Sequence, residues 1–77
     1  MREKILDILN DINDDVDYEV ETALIDDGVL DSFDIVTLVS DLNSCFDINI
    51  TVVDLVPENF NSMDAMVALV ERLLNGR

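Results

Sequence analysis

The stretch Asp26-Asp27-Gly28-Val29-Leu30-Asp31-Ser32-Phe33-Asp34-Ile35-Val36 sets one hydroxyl, Ser32, between an acid and an aromatic ring at the mouth of a helix. As a catalytic nucleophile it has no helper. The chain contains 0 histidines, so a Ser-His pair, the usual general base and the commonest metal ligand are all missing. Its 1 cysteine, Cys45, excludes an internal disulfide or a cysteine-based zinc site, and no basic neighbour is at hand to activate the thiol. From the local residues alone the ordinary reading is a cap, with an Asp31 or Ser32 oxygen accepting from the open N–H groups of the first turn. A second candidate is the acidic run Asp11-Ile12-Asn13-Asp14-Asp15-Val16-Asp17, which puts oxygen ligands at the first, third and fifth places of a calcium loop. Val16 stands where that loop requires glycine and Thr22 where it requires glutamate, so the run reads as a solvated turn and no metal site is expected.

The elements that must position Ser32 follow from apolar spacing. Ile5, Ile8, Leu9 and Ile12 recur at helical intervals and predict a first helix over roughly residues 2 to 14. Asp14 to Asp31 is acidic, but it carries Val16, Val20, Leu24, Ile25 and Leu30, so it is expected to be an ordered connector lying on the core. Ile35, Leu38, Val39, Leu42 and Phe46 trace one face of a second helix ending near residues 44 to 46. The segment DINITVVDLV alternates like a strand, yet nothing is available to pair with it and Pro57 follows. A loop with one short helical turn around residues 53 to 58 is predicted instead. Asn61 or Ser62 then caps a closing helix over Met63 to Leu74, with Met63, Met66, Val67, Val70, Leu73 and Leu74 as its apolar face.

Composition agrees with a small all-α domain. The chain has 77 residues, 49% hydrophobic and 5% aromatic, with 2 glycines and 1 proline. That apolar content is too high for a disordered acidic tail, and the scarcity of turn residues argues against a β-sandwich or barrel. A chain this short supports one core, so residues 1–77 are expected to form a single domain. The net charge is −14, and every charged residue between Lys4 and Arg72 is acidic. Such a field repels phosphate backbones and anionic lipid and accelerates encounter with basic protein partners. Nucleic-acid binding and membrane insertion are therefore not expected. With no signal-peptide pattern or long apolar run, the expected location is the cytoplasm.

Taken together, LIDDGVLDSFDIVTLVSDL, the following Phe46 and DINI, and LVPENFNSMDAMVALVERL resemble the phosphopantetheine-binding carrier proteins, whose attachment motif is Asp-Ser followed by a bulky apolar residue. The likeness covers nearly the whole chain and includes acyl, peptidyl and D-alanyl carriers. Gly28-Val29-Leu30 is more similar to the D-alanyl and peptidyl carriers than to the fatty-acid carriers. The resemblance implies a four-helix bundle of acyl-carrier-protein type, with a long ordered loop between helices one and two and a short third helix. It implies a carrier with no enzymatic activity, which holds an acyl or aminoacyl thioester on a 4′-phosphopantetheine arm at Ser32. The arm comes from coenzyme A through a phosphopantetheinyl transferase using magnesium. The implied partners are that transferase, a loading ligase or synthase and a downstream acyltransferase, and the carrier is expected to be a monomer.

Physical chemistry is compatible with attachment at Ser32. A phosphodiester there would sit at a helix N-terminus, which favours an anion by roughly 0.3 to 1 kcal/mol, although Asp31 and Asp34 oppose it at short range. Phe33 and Val36 fall away from the stripe of Leu38, Val39 and Leu42, so they are expected to be exposed beside the serine. With Asp31, Asp34, Thr37 and Ser40 they form an expected docking patch. The alternative is an acidic helical adaptor that binds a basic partner without carrying anything.

Overall fold

In a computed structural model of the chain, residues 1–76 are described, and Arg77, the last basic residue, lies outside them. The element order is α1 (Arg2–Ile12), α2 (Ser32–Phe46), a 3₁₀ turn (Val52–Asp54), α3 (Pro57–Phe60) and α4 (Met63–Leu74). Among the described residues there is no strand, as the unpaired DINI segment led us to expect. α1, α2 and α4 pack on one another, and the short α3 lies against α4. The buried cluster draws Ile5 and Leu9 from α1, Leu38 and Leu42 from α2, Phe60 from α3, and Met63, Met66, Leu69 and Val70 from α4.

Each helix ends for a local reason. At the close of α1, Asn13 turns extended and its N–H still reaches Leu9 O. The Tyr18 hydroxyl donates to Asn13 O (2.6 Å) and also approaches Leu9 O (3.1 Å), so a side chain from the connector satisfies the carbonyl just past the helix end and adds a second donor to one that Asn13 already caps. α2 stops at Asp47, which takes the left-handed conformation with φ 54°. Pro57 begins α3, where its fixed φ suits a first helical turn and its missing N–H costs nothing. Ser62 caps α4 by accepting the Ala65 N–H (3.1 Å), so of the two expected candidates the serine performs that task.

Several expectations require correction. The single turn expected near residues 53 to 58 is two, the 3₁₀ turn and α3, because proline disfavours helical backbone just before it. On α4, Leu69 is buried and belongs to the inner face, whereas Leu74 lies in the last turn and is half exposed. The connector does lie on the core through Leu24 and Leu30, but Val20 points to solvent and Tyr18 takes a place inside.

The connector is also fastened from outside its own sequence. Asn61, between α3 and α4, accepts the Ile25 N–H (2.9 Å) and the Asp26 N–H (3.1 Å) on Oδ1 and donates from Nδ2 to Asp26 Oδ2 (3.2 Å). Its backbone carbonyl accepts the Leu24 N–H (2.9 Å). On the other flank, Arg2 pairs with Glu19 (3.4 Å) and with Asp64, joining α1, the connector and α4. Asp54 is 6% exposed, and its carboxylate accepts the Thr51 N–H (3.1 Å). Asn59 donates to Asp54 O (2.8 Å) and accepts from Arg72 (3.1 Å), which ties the 3₁₀ turn to α3 and the end of α4.

Candidate functional site

Ser32 is the first residue of α2 and is exposed. Asp31, not Ser32, is the cap: its Oδ1 accepts the Asp34 N–H (2.8 Å), while Asp34 Oδ2 accepts the Asp31 N–H (3.3 Å). The choice left open by the sequence is thereby resolved. Two carboxylates close the first turn reciprocally, and the serine hydroxyl is not engaged in capping. Gly28, at φ +71°, makes a bend in the approach that a side chain would strain.

The helix then sorts its residues by the 100° turn between neighbours. Leu38 and Leu42 enter the core, and Phe33, Val36, Thr37 and Ser40 gather on the opposite side. Phe33 is 80% exposed and Val36 69%, so the expected apolar pair stands free beside Ser32. Thr37 Oγ1 is turned back to Phe33 O (3.3 Å). Asp31 is exposed and Asp34 half-buried at the edge of this face. The nearest charges along the chain are all negative: Asp26, Asp27, Asp31 and Asp34.

Beyond the serine lies an open groove of about 510 Å³, lined by Ile25 and Leu30 of the connector, Asp31, Ser32, Ile35 and Val36 at the start of α2, and Leu55 after the 3₁₀ turn. An adjoining cleft of about 160 Å³ shares Ile25, Ile35 and Leu55 and continues to Val56, Pro57 and Phe60. Sequence reasoning placed Ile25 in an ordered connector and Leu55 in the short helical turn expected around residues 53 to 58; it did not recognise them as two walls of one groove. Their only signal was apolar character in segments without regular structure. Asn61, which holds the Ile25 wall, was considered only as a helix cap.

Among the described residues no group of three or more acidic or cysteine side chains converges as a metal site. In the acidic run Asn13 Oδ1 accepts the Asp15 N–H (3.0 Å) and Asp17 Oδ1 accepts the Glu19 N–H (3.1 Å), so side chains there shape turns. Cys45 is an exposed free thiol.

A phosphodiester fits the serine sterically, because Ser32 is open to solvent at a helix N-terminus. The neutral remainder of a pantetheine arm also fits the apolar groove that begins at the same residue.

The chain is 32% identical over 75 residues to a D-alanyl carrier protein of Lactobacillus acidophilus, covering 96% of this chain and 95% of the relative. It is 33% identical over 75 residues to the D-alanyl carrier protein of Leuconostoc mesenteroides and 31% identical over 75 residues to that of Leuconostoc citreum, with 96% of each chain covered in both comparisons. No protein-family model matches the chain, and no solved structure does. Identity at this level along nearly the full length of both chains, on an all-helical fold with an exposed Asp-Ser-Phe at the start of α2, places the protein in the family of phosphopantetheine-binding carrier proteins, as a carrier and not an enzyme.

Proposed function

We propose that Ser32 is the attachment point for 4′-phosphopantetheine and that the cargo is D-alanine, as the names of the relatives suggest. The observation that carries this reading is the division of labour at the head of α2: Asp31 caps the helix, and Ser32 stays exposed and uncommitted. On modification, Ser32 Oγ loses its proton to a base of the transferase and forms a bond to the β-phosphorus of coenzyme A. The pyrophosphate linkage breaks and 3′,5′-ADP leaves. Ser32 needs no activation by its own domain, which agrees with the absence of histidine. The arm, when bound, supplies a terminal thiol that carries the aminoacyl group as a thioester, activated for transfer.

The chain's own residues supply anchor and address. Asp31 and Asp34 hold the first turn rigid, and Phe33, Val36, Thr37 and Ser40 offer an apolar and hydroxylic face within an acidic surround. That face suits a partner surface with an apolar centre and a basic rim, which the net charge of −14 steers into contact. The proposed partners are a phosphopantetheinyl transferase, a loading ligase and a downstream acyltransferase. The domain serves them as a monomer in the cytoplasm, where coenzyme A is available. Among the described residues no helix is long and apolar enough to cross a membrane.

The test is intact mass after incubation with coenzyme A, magnesium and a broad-specificity transferase. Wild type gains one phosphopantetheine and Ser32→Ala gains nothing; a further D-alanyl increment appears with ATP and an adenylating ligase. In the same reaction Phe33→Asp and Val36→Asp slow modification at unchanged melting temperature. An unmodified wild type across several transferases overturns the proposal in favour of the acidic adaptor.

A further inference from the structure

We propose that the 3₁₀ turn is a docking surface of its own, through which Val52 and Val53 enter an apolar hollow with a basic rim on the loading ligase. This rests on the reading of Ser32 as the attachment point of an arm that a ligase loads. The turn is built inside out. Of its three residues, Asp54 is buried at 6% exposure, while Val52 is 84% exposed and Val53 78%. Packing alone favours the reverse, since a buried carboxylate must be held by hydrogen bonds and a valine left in water contributes no burial. Leu55 and Val56 follow at 44% and 37%, so the exposed apolar stretch runs on along the chain and is not a scatter of single residues.

The turn is also held rigid before any partner arrives. Asp54 Oδ2 accepts the Thr51 N–H (3.1 Å), and the Asp54 N–H donates to Thr51 O (2.9 Å). Asn59 donates to Asp54 O (2.8 Å) and is held in turn by Arg72 (3.1 Å). In a 3₁₀ helix neighbouring residues stand about 120° apart, so the two valines splay to either side of a fixed ridge. Such a ridge fits a hollow, and it loses little freedom on entering one.

Charge selects the occupant. The nearest exposed charges along the chain on either side, Asp47 and Glu58, are acidic, and the whole chain carries −14. A second copy would bring another −14 to the same surface, and anionic lipid is repelled, whereas a hollow rimmed by lysine or arginine is drawn in. Chemistry then separates the ligase from the other partners. The transferase reacts at Ser32 Oγ, so its footprint centres on the head of α2. The ligase reacts at the far end of the arm and need not cover the serine. It also holds its amino acid as an adenylate, a mixed anhydride that water destroys, so it depends on fast and specific docking. The acyltransferase receives an amino acid already bound to the carrier and is under no such pressure.

The experiment compares wild type with the double variant Val52→Thr, Val53→Thr, because threonine keeps the branched shape and the charge and removes only apolar surface. Both positions are exposed, so the melting midpoint should not change. Intact mass first follows addition of the arm by a broad-specificity transferase, which should run at the same rate in both proteins. The holo proteins are then given ATP, D-alanine and the adenylating ligase. The KM of the ligase for the variant rises about tenfold at unchanged kcat, the mark of binding lost equally before and during reaction. Methyl NMR on the apo protein supplies a reading without turnover: adding the ligase moves or broadens the Val52 and Val53 signals, less so at high salt. Equal KM values, or valine methyls that the ligase leaves unmoved, overturn the docking surface while leaving attachment intact. Arm addition slowed as much as loading overturns the assignment to the ligase. Valine shifts that grow with the concentration of the protein itself overturn it in favour of a second copy, and shifts produced by neutral phosphatidylcholine vesicles do so in favour of a membrane. A holo protein that the ligase does not load overturns it together with the D-alanine reading, and a protein that gains no arm overturns attachment as well.

Discussion

Replacing Asn61 with alanine removes the two hydrogen bonds its Oδ1 accepts from Ile25 (2.9 Å) and Asp26 (3.1 Å) and the one its Nδ2 gives to Asp26 (3.2 Å). The backbone bond from Leu24 N–H to Asn61 O survives. Asp26 is exposed, so its amide and carboxylate regain water and contribute little to the loss. The Ile25 amide is partly buried and cannot rehydrate fully, so it dominates. Together these give a loss of about 1.5 to 2.5 kcal/mol. In a domain of this size that lowers the melting midpoint by roughly 10 °C. Urea unfolding followed by circular dichroism should show a lower midpoint at an unchanged slope, since the surface exposed on unfolding stays the same. Asn61→Asp separates the terms. It keeps the acceptor for both amides but sets a carboxylate against Asp26, so its loss should be smaller and should shrink with added salt. Asn61→Ala within 0.5 kcal/mol of wild type, or Asn61→Asp no better than alanine at high salt, would refute the idea that this side chain holds the connector.

Two further outcomes are expected. Burial, reinforced by the negative charges of Asp34 and Asp14, raises the Tyr18 phenol above its ordinary value of 10.0. A raised pKa favours the neutral form in the fold, so this stability is fully present below pH 10.0 and drains away as the pH climbs through the folded value. Tyr18→Phe should therefore lose about 1 to 2 kcal/mol near neutrality with its bonds to Leu9 O and Asn13 O. It should also unfold less steeply than wild type between neutrality and strong alkali; parallel urea midpoints across that range would sink the argument. The net charge of −14 should make the fold firmer as salt rises, because screening relieves repulsion among the carboxylates. The opposing effect, weaker pairing of Arg2 with Glu19 and Asp64, is smaller, because solvent already screens these exposed pairs. Melts in low salt, moderate monovalent salt and magnesium or calcium should rise gradually. A flat midpoint removes the repulsion, and an abrupt stoichiometric response to calcium alone reinstates a specific calcium site.

What the sequence showed clearly was whatever repeats with the period of a helix. Leu38 and Leu42 mark α2 from the letters alone, and the same spacing leaves Phe33 and Val36 outside. Ser32 was singled out by resemblance, and its freedom from capping became visible only when the Asp31–Asp34 exchange was seen. Tyr18 escaped notice because an aromatic amid DDVDYEVE has no periodic companions, although its hydroxyl reaches back to close α1. The groove escaped for a similar reason. Its walls at 25, 35 and 55 come from three separate segments, and no local pattern announces that Asn61 will bring the first of them into position. Residues 53 to 58 were readable as one short helical turn, but not as two turns, Val52–Asp54 and Pro57–Phe60, separated at Leu55 and Val56.

Because Asp31 and Asp34 close the helix between them, position 32 has almost no vote in folding. A small residue exchanged there alters helix propensity by a few tenths of a kcal/mol and removes no contact on which the core depends. In a library randomised at this position and sorted for folded protein, alanine, serine and threonine should survive alike. The same library sorted for molecules that have acquired an arm should collapse to serine. Wherever two such selections disagree so sharply at one site, the residue is retained for what other proteins do to it.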